Sequence, residues 1–196
     1  AGQKISNLFS FLTLRVSDIE HFDDFPIPYR AVATDIGTGK EVVLDRGPLA
    51  DAMRASMAVP GIFTPVALNG HLLVDGGVVK NLPVDIVKEM GADIIIAIDV
   101  SSPLKDAGEL GNPLSILNQM IALQILKATE SQRELADLLV ITDLEDYSST
   151  NFSKGTDIVA LGETSVRGKI EELQQLAERV KATRLESRSI IAREKQ

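Results

Sequence analysis

Short runs of apolar residues separated by turn residues mark the part of the chain between residues 29 and 74. They form two pairs across short turns: residues 29–35 with 41–44, and residues 66–68 with 71–74. Glycine lies in the first turn, and Asn69-Gly70 forms the second, which is the strongest short signal for a β-hairpin. The pattern therefore predicts two hairpins in this region.

Helical segments are predicted between and after these hairpins. Proline at position 48 suits the first turn of a helix, which would end before Pro60-Gly61. A shorter helix over residues 83–90 would be stopped by Gly91, because glycine readily adopts the left-handed conformation found just after many helices.

Residues 92–100 have a different pattern, with β-branched and other apolar residues in a nearly continuous run. Such a run is typical of a strand that is buried on both faces, as in a parallel sheet. Residues 138–142 form a second run of this kind. A helix followed by a buried strand is half of a βαβ unit. We therefore predict an α/β fold with a mainly parallel central sheet flanked by helices, from which the hairpins project.

Two longer segments are predicted to be helical. Residues 114–130 are apolar on more than one face, which fits either a helix buried against the sheet or part of an acyl-chain pocket or lipid-contacting lid. Residues 157–184 are amphipathic, with Gly162 and Gly168 as possible interruptions. We expect residues 1–183 to belong to one domain and the charged residues 184–196 to form a tail or linker.

Composition removes several classes of function. The 196 residues include no cysteine, which excludes disulfides, thiolate catalysis and cysteine-ligated zinc. The formal charge of −8 and the lack of a basic stripe argue against nucleic acid as a partner. The same charge argues against electrostatic docking on anionic lipid. A lipid would therefore have to be engaged through apolar contacts.

The candidate chemistry is concentrated at Asp75-Gly76-Gly77, where an apolar strand leads into a carboxylate and two glycines. A carboxylate at a strand end can reach a reacting group, and glycines let a substrate or a neighbouring loop approach closely. Taken alone, the tripeptide is equally the composition of an ordinary turn. The two histidines, His21 and His71, lie in polar or turn segments that do not suit a triad base.

Several spaced motifs agree in order around this tripeptide: Ala55-Ser56 at a helix end, Pro60, Phe63, Asp75-Gly76-Gly77, Asn81 and Pro83. Between about Pro28 and Ser101 this order closely resembles the patatin-like phospholipases. The resemblance implies a three-layer α/β fold and a lipid acyl hydrolase of the phospholipase A or lysophospholipase type. It further implies a serine–aspartate dyad with Asp75 as its aspartate, Gly76 and Gly77 as the motif loop, and no metal or organic cofactor.

The sequence departs from this family in one respect. The nucleophile of the family lies in Gly-x-Ser-x-Gly, and no such pentapeptide occurs here; Ser56, for example, has Arg54 and Ala58 where glycines are needed. We therefore expect the chain to be the C-terminal part of a catalytic domain whose N-terminal half carries the serine, and the isolated chain to be inactive. Ser56 and Asn81 are predicted to have structural roles.

Two other functions remain open from the sequence. Asp35 and Asp99 also end strand-like runs, so together with Asp75 they could form a Mg²⁺ site for a phosphotransferase. The simpler interpretation is that both cap turns or the helices that follow them. A lipid-binding module without catalytic activity is the second alternative.

The resemblance leaves partners and location largely open. A phospholipid or lysophospholipid substrate is expected, with transient membrane contact and a homodimer among the options. The similarity is to bacterial members of the family, and it does not decide between the cytoplasm and the outer membrane or cell surface.

Overall fold

The computed structural model describes residues 2–101, 104–144, 147 and 152–194, which group into two compact units. The first unit contains the residues up to Ile86 together with Leu104–Glu134. The second contains residues 87–101 and the described residues from Leu135 onward. Asp75 and its two glycines belong to the first unit, so that unit holds the candidate site.

The first unit is built on a four-stranded antiparallel sheet of β1 (Ala31–Asp35), β2 (Lys40–Leu44), β3 (Val66–Leu68) and β4 (His71–Asp75). The strands lie in the order β2-β1-β4-β3. Both predicted hairpins are confirmed, as β1 pairs with β2 and β3 with β4. Asn69 and Gly70 have φ angles of 49° and 82°, the left-handed conformation that a tight hairpin turn of this kind requires.

Helix α2 (Leu49–Ser56) packs against this sheet through small side chains. Ala52 and Ala55 lie one turn apart and are fully buried against Ala33 and Leu73 of the sheet. Because alanine has so short a side chain, the helix can approach the strands closely. Phe22 completes this core and stacks on the ring of Phe25 at 5.1 Å.

Two further helices of the first unit are α1 (Gln3–Leu12) and α4 (Pro113–Arg133). Helix α1 packs on α2 and was not predicted from the pattern. Helix α4 begins at a capping box formed by Asn112 and Ser115. Five of its apolar side chains are 39–61% exposed: Ile116, Leu117, Met120, Ile121 and Leu123. The prediction that this helix is buried against the sheet is therefore wrong for that face.

The second unit contains the parallel strands β5 (Ile96–Asp99) and β6 (Leu138–Ile141), as the apolar runs predicted. The long helical segment divides into α5 (Gly155–Arg167) and α6 (Ile170–Glu194). Gly168 lies at the break, whereas Gly162 lies inside α5. The backbone of α6 continues helically to Glu194, through most of the stretch predicted to be a tail. The domain boundary at residue 183 stays a prediction.

Helix α3 (Val84–Glu89) lies where the chain passes from the first unit to the second. It ends as predicted, because the N–H of Gly91 donates to the carbonyl of Lys88 and Gly91 has a φ of 88°. Across the described part of the chain, no helix is both long enough and apolar enough to cross a membrane.

The α/β class is confirmed, but a mainly parallel sheet is not. Four of the described strands form the antiparallel sheet, and two form the parallel pair. The reason lies in the connections. Strands joined by a two-residue turn can pair only in opposite directions, whereas a parallel pair needs a longer crossover such as the one between β5 and β6.

Candidate functional site

Asp75 is the last residue of β4, and its backbone is held from three directions. It pairs with Ala33 of β1, its N–H donates to the carbonyl of Ala58 at 3.1 Å, and its carbonyl accepts from the hydroxyl of Thr34 at 3.0 Å. Its carboxylate oxygen Oδ1 accepts from the N–H of Gly77 at 2.7 Å and so caps a 3₁₀ turn over Gly76–Val78. The strand end and the turn therefore fix the backbone of Asp75 and one of its carboxylate oxygens.

The carboxylate of Asp75 has the properties of a base. Its side chain is partly buried, and loss of solvation raises its pKa, opposed in part by the hydrogen bond from Gly77. A raised pKa makes the ionised form a stronger proton acceptor. The other oxygen, Oδ2, receives no hydrogen bond from the described residues. The site thus presents an acceptor with one oxygen anchored and the other available.

Gly76 is required by close packing and not by a special backbone angle. A Cβ atom at this position would lie 2.3 Å from the carbonyl oxygen of Val32 in β1. The φ angles of Gly76 and Gly77 are not positive, so neither position needs glycine for its backbone conformation. Gly76 is glycine because β1 passes directly over it.

Gly77 faces the carboxylate itself. A Cβ atom there would lie 2.9 Å from Oδ1 of Asn81 and 3.0 Å from Oδ1 of Asp75. Both contacts are with ends of side chains, which can move, and not with backbone. Asn81 therefore lies beside the candidate base, and a side chain at Gly77 would displace one or both of these groups.

Arg54 is the residue near the site that sequence reasoning did not single out. It lies in the last turn of α2 with only 5% of its surface exposed. Its guanidinium lies 5.0 Å from the centre of the Phe63 ring, and Nη2 donates to the carbonyl of Thr64 at 3.2 Å. The available signal was an arginine on the alanine-rich face of the helix, where an apolar residue is expected.

Asp35 has a structural role, as predicted. Its carboxylate accepts from the N–H of Gly37, from the hydroxyl of Thr38 and from Nδ1 of His71, at 3.0, 3.0 and 3.1 Å. These contacts, with the hydrogen bond from His71 as the largest, lower the pKa of Asp35 to about 2. Asp35 thus caps the β1–β2 turn and ties it to the β3–β4 hairpin.

Asp99, the third carboxylate of the proposed magnesium site, lies at the end of β5 in the second unit. It is buried, and its Oδ1 accepts from the N–H of Ser101 at 2.8 Å, which is again a turn contact. Within the ranges that the structure describes, no three histidine, aspartate or glutamate side chains are grouped so that they could hold a metal ion. The contacts that Asp35 and Asp99 make with Gly37 and Ser101 are those of turn caps.

The contacts of Asp35 predict a pH-dependent contribution to stability. Its pKa is lowered on folding, so this stability is present above about pH 4, the usual value, and is lost as the pH falls through about 2. Asp35→Asn is expected to lower the urea midpoint of unfolding above pH 4, with the difference from wild type shrinking towards pH 2. The exposed Asp51→Asn in α2 serves as the control. A pH-independent difference for Asp35→Asn would contradict the ionic origin.

Comparison with known proteins shows which family the segment around Asp75 resembles. Residues 5–88 match the model of the patatin-like phospholipase family, a span that includes both hairpins, α2 and Asp75-Gly76-Gly77. The chain belongs to the patatin-like phospholipase family. The resemblance noted between Pro28 and Ser101 is thereby confirmed, although the family match begins and ends earlier in the chain.

Individual relatives agree with this assignment. An uncharacterized NTE family protein of Mycobacterium tuberculosis is 42% identical over 103 residues, which cover 50% of this chain and 28% of the relative. Patatin-like phospholipase domain-containing protein 7 of the rat is 34% identical over 164 residues, covering 77% of this chain and 11% of that protein. Patatin-like phospholipase domain-containing protein 6 of the mouse is 41% identical over 104 residues, which cover 52% of this chain and 8% of that protein. The patatin-like chain therefore covers less than a third of each relative.

Proposed function

We propose that the intact protein is a lipid acyl hydrolase in which Asp75 is the base of a serine–aspartate dyad. The observation that carries the proposal is the state of the Asp75 carboxylate. Its backbone and one oxygen are anchored, the other oxygen has no partner among the described residues, and burial raises its pKa. Membership of the patatin-like phospholipase family supports the reaction class.

In the proposed reaction the serine hydroxyl attacks the ester carbonyl and transfers its proton to Asp75. The protonated carboxyl then gives that proton to the departing alcohol, which leaves an acyl-enzyme. A water molecule releases the fatty acid by the same steps, with Asp75 again accepting and returning a proton. A partly desolvated carboxylate suits this exchange, because its pKa is shifted towards the pH at which it must both take and give the proton.

The serine of this dyad is proposed to lie outside the chain of 196 residues. No Gly-x-Ser-x-Gly occurs in the sequence, and the chain covers only 28% of the mycobacterial relative and 11% of the rat one. A segment that supplies the nucleophile must approach Oδ2 of Asp75 to within about 3 Å for direct proton transfer. Without it, the isolated chain is expected to be inactive.

A phospholipid or lysophospholipid is the proposed substrate, with transient contact to a membrane. The exposed apolar face of α4, which includes Leu117 and Met120, is the candidate contact surface in the first unit. Helix α4 also packs near the Gly76–Val78 turn, so this face lies in the same unit as the candidate base and beside its turn. The net charge of −8 agrees with contact through apolar groups and not through anionic headgroups.

Labelling and metal removal test the proposal together. The intact protein should hydrolyse a short-chain lysophospholipid in EDTA at the same rate as without it, and a fluorophosphonate that modifies serine should abolish the activity. The chain of residues 1–196, taken alone, should not be labelled. Loss of activity in EDTA that Mg²⁺ restores would favour the phosphotransferase alternative. Lipid binding with neither labelling nor hydrolysis would favour the non-catalytic module.

A further inference from the structure

Arg54 is buried with fewer partners than a guanidinium group usually has. Its Nη2 donates to the carbonyl of Thr64, but Nη1 has no hydrogen-bond partner among the described residues. No acidic side chain in the described ranges forms an ion pair with it. Buried charges are normally paired, so this arrangement is not explained by a gain in stability. Local rules of this kind are most often broken where function requires it.

Besides lying against the backbone of Gly2 at the start of α1, the guanidinium of Arg54 makes a hydrogen bond and a ring contact with one loop. The guanidinium lies over the ring of Phe63 and binds the carbonyl of Thr64, at the far end of the turn that follows α2. The near end of this turn is Ala58, whose N–H donates to the carbonyl of Ala55. In between, the N–H groups of Ile62 and Phe63 donate to the carbonyl of Val59, so the turn is a closed unit.

The same turn holds Asp75. The carbonyl of Ala58 accepts the backbone N–H of Asp75 at 3.1 Å. Asp75 also pairs with Ala33 of β1, and the hydrogen bond to Ala58 ties the end of β4 to the turn after α2. A shift of the turn would therefore move the backbone of Asp75, and the carboxylate would move with it.

We propose that Arg54 is a positioning residue for Asp75, acting through the turn of residues 58–64. The guanidinium clamps Phe63 and Thr64 onto α2, and the clamped turn presents the Ala58 carbonyl to Asp75. The catalytic consequence depends on the proposed function, whereas the positioning itself does not.

Replacement by an apolar side chain separates positioning from stability. Arg54→Met keeps a long side chain but removes the hydrogen bond to Thr64 and the cation over Phe63. Removing a buried charge that lacks a full set of partners is often neutral or stabilising, so we expect the variant to fold. Arg54→Lys keeps a cation that can donate to the Thr64 carbonyl but loses the planar guanidinium, so it should retain part of the effect. Arg46→Met is the matched control, because Arg46 is exposed and its side chain pairs, among the described residues, with its neighbour Asp45.

Hydrogen exchange in the intact protein reports on the positioning directly. In Arg54→Met, peptides covering residues 71–78 should exchange about tenfold faster, since the Asp75–Ala58 hydrogen bond is weakened while the fold is retained. Arg54→Lys should lie between this variant and wild type, and Arg46→Met should match wild type. Equal exchange in Arg54→Met and Arg46→Met would overturn the proposal. If Arg54→Met does not fold, Arg54→Lys against Arg46→Lys gives the same comparison.

Kinetics supply the second measurement. The value of kcat for Arg54→Met, per folded molecule, should fall about tenfold or more with KM within about twofold, because a small displacement of the base slows the chemical step. A raised KM with unchanged kcat would contradict positioning. If Asp75→Asn turned out to be fully active, the proposed function would fail, but the exchange measurement would still decide the role of Arg54.

Discussion

Asp75→Asn in the intact protein is expected to reduce ester hydrolysis by about 10²–10⁴-fold while leaving the protein folded. An amide cannot accept the proton of the serine hydroxyl, so the general base is lost. The backbone contacts of residue 75 to Ala58 and Thr34 do not involve the carboxylate and should remain. The amide oxygen of asparagine can also accept from the N–H of Gly77, so the turn over Gly76–Val78 should be kept.

The measurement is kcat/KM on a lysophospholipid, normalised to the folded fraction from thermal unfolding. Asp35→Asn is the control, because Asp35 is another carboxylate at a strand end of the same sheet but has its oxygens occupied by turn contacts. It should lose stability and keep its activity per folded molecule. Activity of Asp75→Asn within a few-fold of wild type would remove Asp75 from the mechanism.

Asp75→Asn is also expected to change the stability of the protein in a pH-dependent way. Burial raises the pKa of Asp75 on folding, so this group favours the folded state below its usual pKa and loses that contribution as the pH rises through its folded value. At neutral pH the ionised, partly desolvated carboxylate therefore costs stability. Asp75→Asn should melt at the same temperature as wild type or higher at pH 7, with the difference shrinking below about pH 4. A lower melting temperature at pH 7 would indicate a structural role instead.

Gly76→Ala is expected to lower mainly the stability of the protein, whereas Gly77→Ala is expected to lower mainly its activity. At Gly76 the new methyl group would meet the carbonyl oxygen of Val32 at 2.3 Å, so β1 would have to move away from the turn. Overpacking of this kind costs about 1–3 kcal/mol or more in the free energy of unfolding. Gly76→Ala should thus be strongly destabilised.

At Gly77 the new methyl group would meet only the ends of the Asn81 and Asp75 side chains. These can rotate away, so the loss of stability should be smaller than for Gly76→Ala. Displacing the Asp75 carboxylate by about 1 Å is expected to cost on the order of 10²-fold in rate. Activity per folded molecule should therefore fall more in Gly77→Ala than its stability does.

Urea unfolding and normalised kcat on both variants separate these outcomes. Gly162→Ala in α5 is the matched control, because a Cβ atom there meets no other group and the backbone is helical. That change should be neutral or slightly stabilising. If Gly77→Ala kept full activity per folded molecule, the tripeptide would be an ordinary turn and Asp75 would be supported by family membership alone.

Local chemistry in the sequence was sufficient for the hairpins and for the chain direction around them. Asn69-Gly70 requires a tight turn whatever the rest of the molecule does, because both residues adopt positive φ angles at little cost. Gly91 ended α3 for the same reason. Asp75 could also be singled out, but only because the motifs around the tripeptide follow the order found in a known family, since the tripeptide alone is equally typical of a turn.

Contacts between distant segments could not be derived in this way. The sequence allowed a close approach at the two glycines, but it did not show that the approaching group at Gly76 is Val32, which lies 44 positions earlier in the chain. The pattern of α4 allowed either burial against the sheet or an apolar contact surface, and its exposed apolar face depends on what surrounds it and not on its own pattern. The local pattern shows Arg54 only as an arginine in a helix, because its contact with Thr64 depends on the folded chain.

The sequence by itself determined where the chain turns, which segments form strands and helices, and that Asp75 ends a strand before two glycines. These features depend on the conformational preferences of a few neighbouring residues. The tertiary structure decided that the hairpins join into one antiparallel sheet, that Ala58 holds Asp75, and that burial raises the pKa of its carboxyl group. Packing distance and solvation depend on residues far apart in the chain, which a local pattern does not specify.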